Sequence, residues 1–281
     1  DNIFFNDFLA SNRKISNKSS SFIVVKDSND HEDGIIGSRN INIHRNIFFN
    51  WQGSQGHGFI LIGEDGKPYY EAEKVNIYNN LFIGNSNISM RSPLGIKGAA
   101  NVTFFNNTIT GDLPSNAYAI RVNREKSNKI NNNIRLYNNI WSDSTGTMGQ
   151  GAYESNNDFS DVLLYQLENF EIDNNLIFNG HKKIPSSFYD KINPEDDKNL
   201  INTDPYLPEV DKIQTPTWSH QNMVFSDGSY TIRNAFIRLA LYYGEAQNKN
   251  AVRSHIHKFH IPIYDLLSEK RTVPHSVGAL K

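Results

Sequence analysis

Five stretches of this chain are variations on one theme, and a chain that repeats itself in this way has few folds open to it. Asn133 to Asp143 reads NIRLYNNIWSD, and close copies begin at Asn40 (NINIHRNIFFN), Val75 (VNIYNNLFIGN), Asn101 (NVTFFNNTITG) and Asn169 (NFEIDNNLIFNG). Each copy is a short alternating strand, a polar pair and a second apolar strand, so two strands meet at a polar corner. The second residue of the pair falls at Asn46, Asn80, Asn107, Asn139 and Asn175, and successive copies are 34, 27, 32 and 36 residues apart. An approximate period with variable insertions predicts a solenoid, whose units cannot bury an apolar face alone and stack on their neighbours. Asn suits the corner because its short amide tolerates the left-handed backbone conformation and bonds locally. Stacked corners would also let successive amides bond one another in a ladder. Ile, Val, Phe, Tyr and Trp recur at fixed offsets from the pair, which sets the pattern apart from an Asn-rich low-complexity segment.

Of the 38 asparagines in the 281 residues, 33 precede residue 201, so the repeat region ends near there and the tail is built differently. With 38% apolar residues the chain can bury a core, and a net charge of -2 gives it no bulk attraction for nucleic acid or an anionic membrane. No apolar run is long enough to span a membrane. The absence of cysteine excludes disulfides, thiolate metal sites and a cysteine nucleophile, and fits a cytosolic or an exported bacterial protein alike. The opening DNIFFNDF matches the second half of a repeat (RNIFFNWQ from Arg45), which predicts that the chain starts mid-coil, as a fragment or a processed product.

A third apolar run precedes each repeat: FIVVK from Phe22, GFILIG from Gly58, NISMR from Asn87 and AYAIRV from Ala117. Three parallel strands per coil make a right-handed parallel β-helix, the all-β fold expected here over residues 1–183. DGIIGSRNINI and LGIKGAANVTF share Gly-Ile-x-Gly-x-x-Asn, so Gly37 and Gly98 mark equivalent turns. Long loops, among them the one from Ser144 through STGTMGQGAYESNNDFSDVLLYQLE, are expected on one side, where solenoids build binding faces. Residues 184–281 read as an irregular tail with one helix at about 229–243. Asp227-Gly228-Ser229 offers its cap, Ile232, Phe236, Leu239 and Tyr243 its apolar stripe and Gly244 its stop. The expected partner of that stripe is the open last coil, which the helix would cap.

The doublet repeats, HEDGI at His31, NTDPYL at Asn202 and PHSVGAL at Pro274 resemble the secreted bacterial right-handed parallel β-helix proteins of the pectate-lyase-like superfamily. The resemblance covers Asp1 to roughly Gly180 as fold, plus those tail fragments. It implies an exported protein that acts on or binds an extended polysaccharide or oligosaccharide along one parallel sheet, as a lyase, hydrolase or epimerase.

The densest polar cluster is Asp27, Asp30, His31, Glu32 and Asp33. In an extended segment His31 and Asp33 share a side, as an acid/base pair or a cation site, while a solvated acidic turn is the alternative. Asp30 and Glu32 are the candidate metal ligands, and calcium is the ion that clustered carboxylate oxygens would suit. Among the bases, Arg91 and Arg121 end related runs on successive coils and are expected to stack at the sheet spacing of about 5 Å, which suits an anionic sugar between them. The competing reading pairs them with Asp or Glu such as Glu64 and Glu125. The resemblance implies Lys97 or Arg121 as the base of a β-elimination, with the acidic cluster holding a cation or neutralising charge. Asp33 and Glu64 could instead face each other across a sugar as a hydrolase pair. His57, one coil after His31, and Tyr69 and Tyr70 are candidate substrate contacts, with Trp51 and Tyr153 as further stacking aromatics and Trp141 expected in the core. A non-catalytic glycan-binding or structural solenoid, such as an adhesin or tail fibre, is the reading from another class.

Overall fold

The computed structural model describes residues 1–5, 21–27, 32–49, 58–64, 66–84, 91–111, 118–149, 158–208, 217–253 and 261–281. Three parallel sheets run the length of the repeat region, each collecting one strand per coil. Sheet 1 holds Ile23–Val25, Gly58–Ile62, Ser92–Lys97 and Arg121–Asn123. Sheet 2 holds Ser38–His44, Ala72–Tyr78, Ala99–Phe105, Asn131–Tyr137 and Leu167–Asp173. Sheet 3 holds Ile3–Phe5, Ile47–Phe49, Leu81–Gly84, Thr108–Gly111, Ile140–Ser142 and Leu176–Phe178. Neighbours in each sheet are one coil apart, which is the topology of a parallel β-helix. The opening residues form a sheet 3 strand in register with Ile47–Phe49, as their likeness to the later repeat requires.

Like residues stack on like through the interior. In sheet 3, Phe4, Phe48, Phe82, Ile109, Trp141 and Ile177 are successive register partners. The first three rings stack at 4.9 Å, and Trp141 is buried as expected. Sheet 2 contributes the inward column Ile43, Ile77, Phe104, Leu136 and Ile172.

The corner between sheets 2 and 3 divides its work between the two residues of each pair. The first of them, Arg45, Asn79, Asn106, Asn138 or Asn174, takes the left-handed conformation, with φ between 52° and 58°. The second makes the ladder. The backbone N–H and Nδ2 of one Asn both donate to Oδ1 of the Asn one coil on, from Asn2 through Asn46, Asn80, Asn107 and Asn139 to Asn175, at 2.9–3.3 Å. A second left-handed column, Asn40, Lys74, Asn101, Asn133 and Asn169, bends each sheet 2 strand where the pairing register skips a residue.

Asp197 closes the ladder. Its Oδ2 accepts from Asn175 N–H and Nδ2 at 2.9 and 3.0 Å, and its Oδ1 accepts from the Asn174 and Asn199 backbones. Around it, Ile184, Ile192 and Leu200 pack into the central core, so residues just past the expected coil boundary at 183/184 lid the last coil.

The helix lies elsewhere. It spans Ile232–Gly244, here α1, capped by Thr231 Oγ1 accepting from Asn234 N–H rather than by the expected Asp227, whose carboxylate closes its own turn with Ser229. Gly244 is its last residue, as read from sequence. Phe236, Leu239, Ala240 and Tyr243 pack on the outer face of sheet 3, against Ile47, Leu81 and Ile83. Ile232 is exposed and no part of that contact. The expectation of an end cap is therefore corrected: sheet 3 is apolar on its outside as well as inside, and the helix covers that flank. The C-terminal segment straps down beside it. Arg271, which is buried, donates to Asn79 Oδ1 and to the carbonyls of Ser276, Gly278 and Ala279. No helix among the described residues is long and apolar enough to cross a membrane.

Candidate functional site

The outer face of sheet 1 carries a groove lined by charged side chains. Register fixes two outward columns there: Leu61, Gly95 and Arg121 in one, and Gly63, Lys97 and Asn123 in the other. Gly95 leaves room for Leu61, whose Cδ1 lies 3.1 Å from where a Cβ would stand, so the floor is low and apolar. Gly63 turns the chain at φ 74° against the Lys97 carbonyl, a place no side chain could occupy. Above this floor is a groove of about 510 Å³ lined by Glu64, Arg91, Lys97, Arg121, Asn123, Arg124 and Glu125 among others.

Four of the residues singled out from sequence, Glu64, Arg91, Lys97 and Arg121, are thus brought together. Each ion pair seen crosses between coils or loops. Lys97 Nζ donates to Glu125 Oε2 at 2.7 Å, Lys26 Nζ to Glu64 Oε2 at 3.1 Å, and Arg121 Nε to Asp161 Oδ2 at 2.5 Å. Arg121 also sits over the Tyr118 ring, 6.0 Å from its centre. Arg124 is turned aside, donating from Nε and Nη2 to the Asn128 carbonyl. The expected stacking of Arg91 on Arg121 is not the arrangement found. Arg121 pairs in register with Gly95, within the strand Ser92–Lys97. Arg91 instead precedes the strand, and its charge reaches Asp161.

Asp161 is the residue that sequence reading missed. It lies within what reads as one long loop from Ser144, yet Ile120 bridges Ser160 and Ala119 N–H donates to the Phe159 carbonyl, so a further rung of sheet 1 is hidden there. The signal was an alternation of four residues: Ser160 and Val162 are buried in the interior while Asp161 and Leu163 point out. Burial raises the Asp161 pKa and the Arg121 guanidinium opposes that rise. Its Oδ1 and the Oδ1 of Asn123 are buried without a hydrogen-bond partner among the described residues. Beyond it, burial and then the charges of Asp158 and Asp161 push the Asp190 carboxyl up to about 7.

The other candidates stand apart from this groove or beyond description. Glu32 and Asp33 are exposed in a turn over residues 32–34, where Asp33 Oδ1 accepts from Ile35 N–H. Neither lines the groove, and nor do Tyr69 and Tyr70, the latter lying 5.0 Å from Lys129 Nζ. Asp30, His31, Trp51, His57, Tyr153 and the histidines at 255, 257 and 260 fall outside the described residues. Among the described residues no group of three or more His, Asp or Glu is placed to hold a metal ion. No protein-family model and no curated protein matches the chain.

Proposed function

We propose that this chain binds an extended acidic polysaccharide along sheet 1 and cleaves it by β-elimination, as an exported member of the pectate-lyase-like group its repeats resemble. The observation that carries the reading is local charge. The whole chain is slightly acidic, yet Arg91, Lys97, Arg121 and Arg124 line the groove beside Glu64 and Glu125, with Asp161 behind Arg121. Asp161 takes the Nε of Arg121, and the two Nη groups make no hydrogen bond to a described residue. A guanidinium held from behind in this way offers its remaining fork to a uronate carboxylate.

In the elimination, Lys97 in its neutral form takes the proton from the carbon beside that carboxylate, which Arg121 holds. The C–H pair becomes a carbon–carbon double bond, the bond to the departing sugar oxygen breaks, and that oxygen gains a proton. Cations around the carboxylate stabilise the charge that develops as the proton leaves.

The test is a panel of uronate polysaccharides followed by the ultraviolet absorbance of the conjugated product. Absorbance should rise on one of them, and Lys97→Ala or Arg121→Ala should slow the rise by about 100-fold or more. No rise on any polymer would remove the elimination. A non-catalytic binder is the second reading, favoured by the ion pairs that tie Lys97 to Glu125 and Arg121 to Asp161. It expects retention on an immobilised uronate polymer, weakening with added salt, and no product.

A further inference from the structure

Five large apolar side chains stand in solvent at one place. Leu163 is 40% exposed, Leu164 58%, Tyr165 65%, Phe188 90% and Tyr189 74%. They belong to two turns joined by a bridge between Leu163 and Asp190 and by Lys191 N–H donating to the Val162 carbonyl at 2.8 Å. Each turn is closed by its own bonds, Leu163 N–H to Gln166 Oε1 at 3.0 Å and Tyr189 N–H to Ser187 Oγ at 3.2 Å. The Phe188 and Tyr189 rings meet edge to face, 5.9 Å between centres. Exposed apolar clusters of this kind mark binding surfaces.

Position decides what binds. With Ile120 bridged to Ser160, Asp161 meets both Arg121 and Asn123, whose Nε and Nδ2 donate to its Oδ2 at 2.5 and 3.3 Å. Leu163, where the first aromatic turn opens, follows two residues after the carboxylate that holds Arg121. The aromatic turns thus adjoin, along the chain and across the Leu163–Asp190 bridge, the residue that anchors Arg121 of the charged groove.

We infer that Tyr165, Phe188 and Tyr189 form a stacking platform for the sugar units of an acidic glycan that extend past the charged groove. The inference rests on the sheet 1 reading above and adds to it a subsite that recognises sugar faces instead of carboxylates. Flat aromatic side chains supply large contact area at little conformational cost, and their outer faces complement the C–H side of a pyranose ring.

Chain length tests it. Binding of a uronate trisaccharide and of a longer oligosaccharide of the same polymer is measured by calorimetry on the wild-type chain and on Phe188→Ala/Tyr189→Ala. The wild type should hold the longer ligand about tenfold more tightly than the trisaccharide, and the variant should lose that gain while keeping its trisaccharide affinity to within about twofold. Both substitutions are at exposed positions, and an unchanged melting temperature checks that the fold survives them. A length gain that persists in the variant overturns the platform alone. Sedimentation showing a wild-type dimer that the variant dissociates also overturns it, since the patch would then join two copies. Failure of either ligand to bind the wild type overturns the groove reading, and the platform with it.

Discussion

A single asparagine in the ladder serves several partners at once. Asn107 accepts from the N–H and Nδ2 of Asn80, donates to Asn139, and its Nδ2 also reaches the carbonyls of Ile77 and Phe105. All of these groups are buried, so removing the amide strands donors and acceptors that no water can reach. Asn107→Ala should therefore cost at least about 3 kcal/mol in urea unfolding. Asn42→Ala, which breaks the exposed amide pair with Asn76, should stay within about 0.5 kcal/mol of wild type. Equal costs at the two positions would contradict this account. Asp190 makes a prediction of the opposite kind. Folding raises its pKa to about 7, chiefly by burial, while the unfolded chain releases that proton near pH 4, by ordinary Asp behaviour at about 3.9. The folded state thus holds a proton that the unfolded state has lost across that window, so this carboxyl's contribution is fully present at lower pH and is lost as pH rises to about 7. Asp190→Asn should remove that slope, so its stability relative to wild type should rise between about pH 4 and pH 7 and level off above. A gap that does not change with pH would refute it.

At the scale of the element, the sequence announced strands better than it announced their partners. The Asn pairs are legible because the left-handed corner and the ladder each demand a residue type, whereas the strands of sheet 1 carry no such marker. SPLGIK reads as turn with its Pro and Gly, and the Ser160 rung is four residues long inside a loop, so the groove's register and Asp161 were both hidden. The helix shows the same limit. Its stripe was legible, but a stripe says that a face is buried and not against what. Since Leu239 is buried on the outside of sheet 3 and Leu241 is 45% exposed, Leu239→Ala should cost about 3 kcal/mol and Leu241→Ala less than about 0.5. Thr231→Ala should cost about 1 kcal/mol through the lost cap. Thermal or urea unfolding of the three variants orders them, and a reversed order would move the helix off this flank.

For the molecule as a whole, stacking converts distance in sequence into adjacency, and that explains both what was legible and what was not. Residues one period apart become neighbours by rule, so the repeat pointed to charged residues of successive coils sharing one face, while the resemblance singled out Lys97, and Glu64, Lys97 and Arg121 do line one groove. The acidic cluster around Asp33 offered no such rule, because the loop that carries it belongs to no column. The last rung has a consequence of its own. Every asparagine from Asn46 to Asn175 is bifunctional, taking from one side and giving to the other, while Asp197 can only take, and its backbone N–H is spent on Pro194. It acts as a monofunctional monomer does in step-growth polymerisation: once it is added, no reactive group remains to receive the next unit, and a neighbouring molecule's asparagine column finds negative charge where it would need a donor.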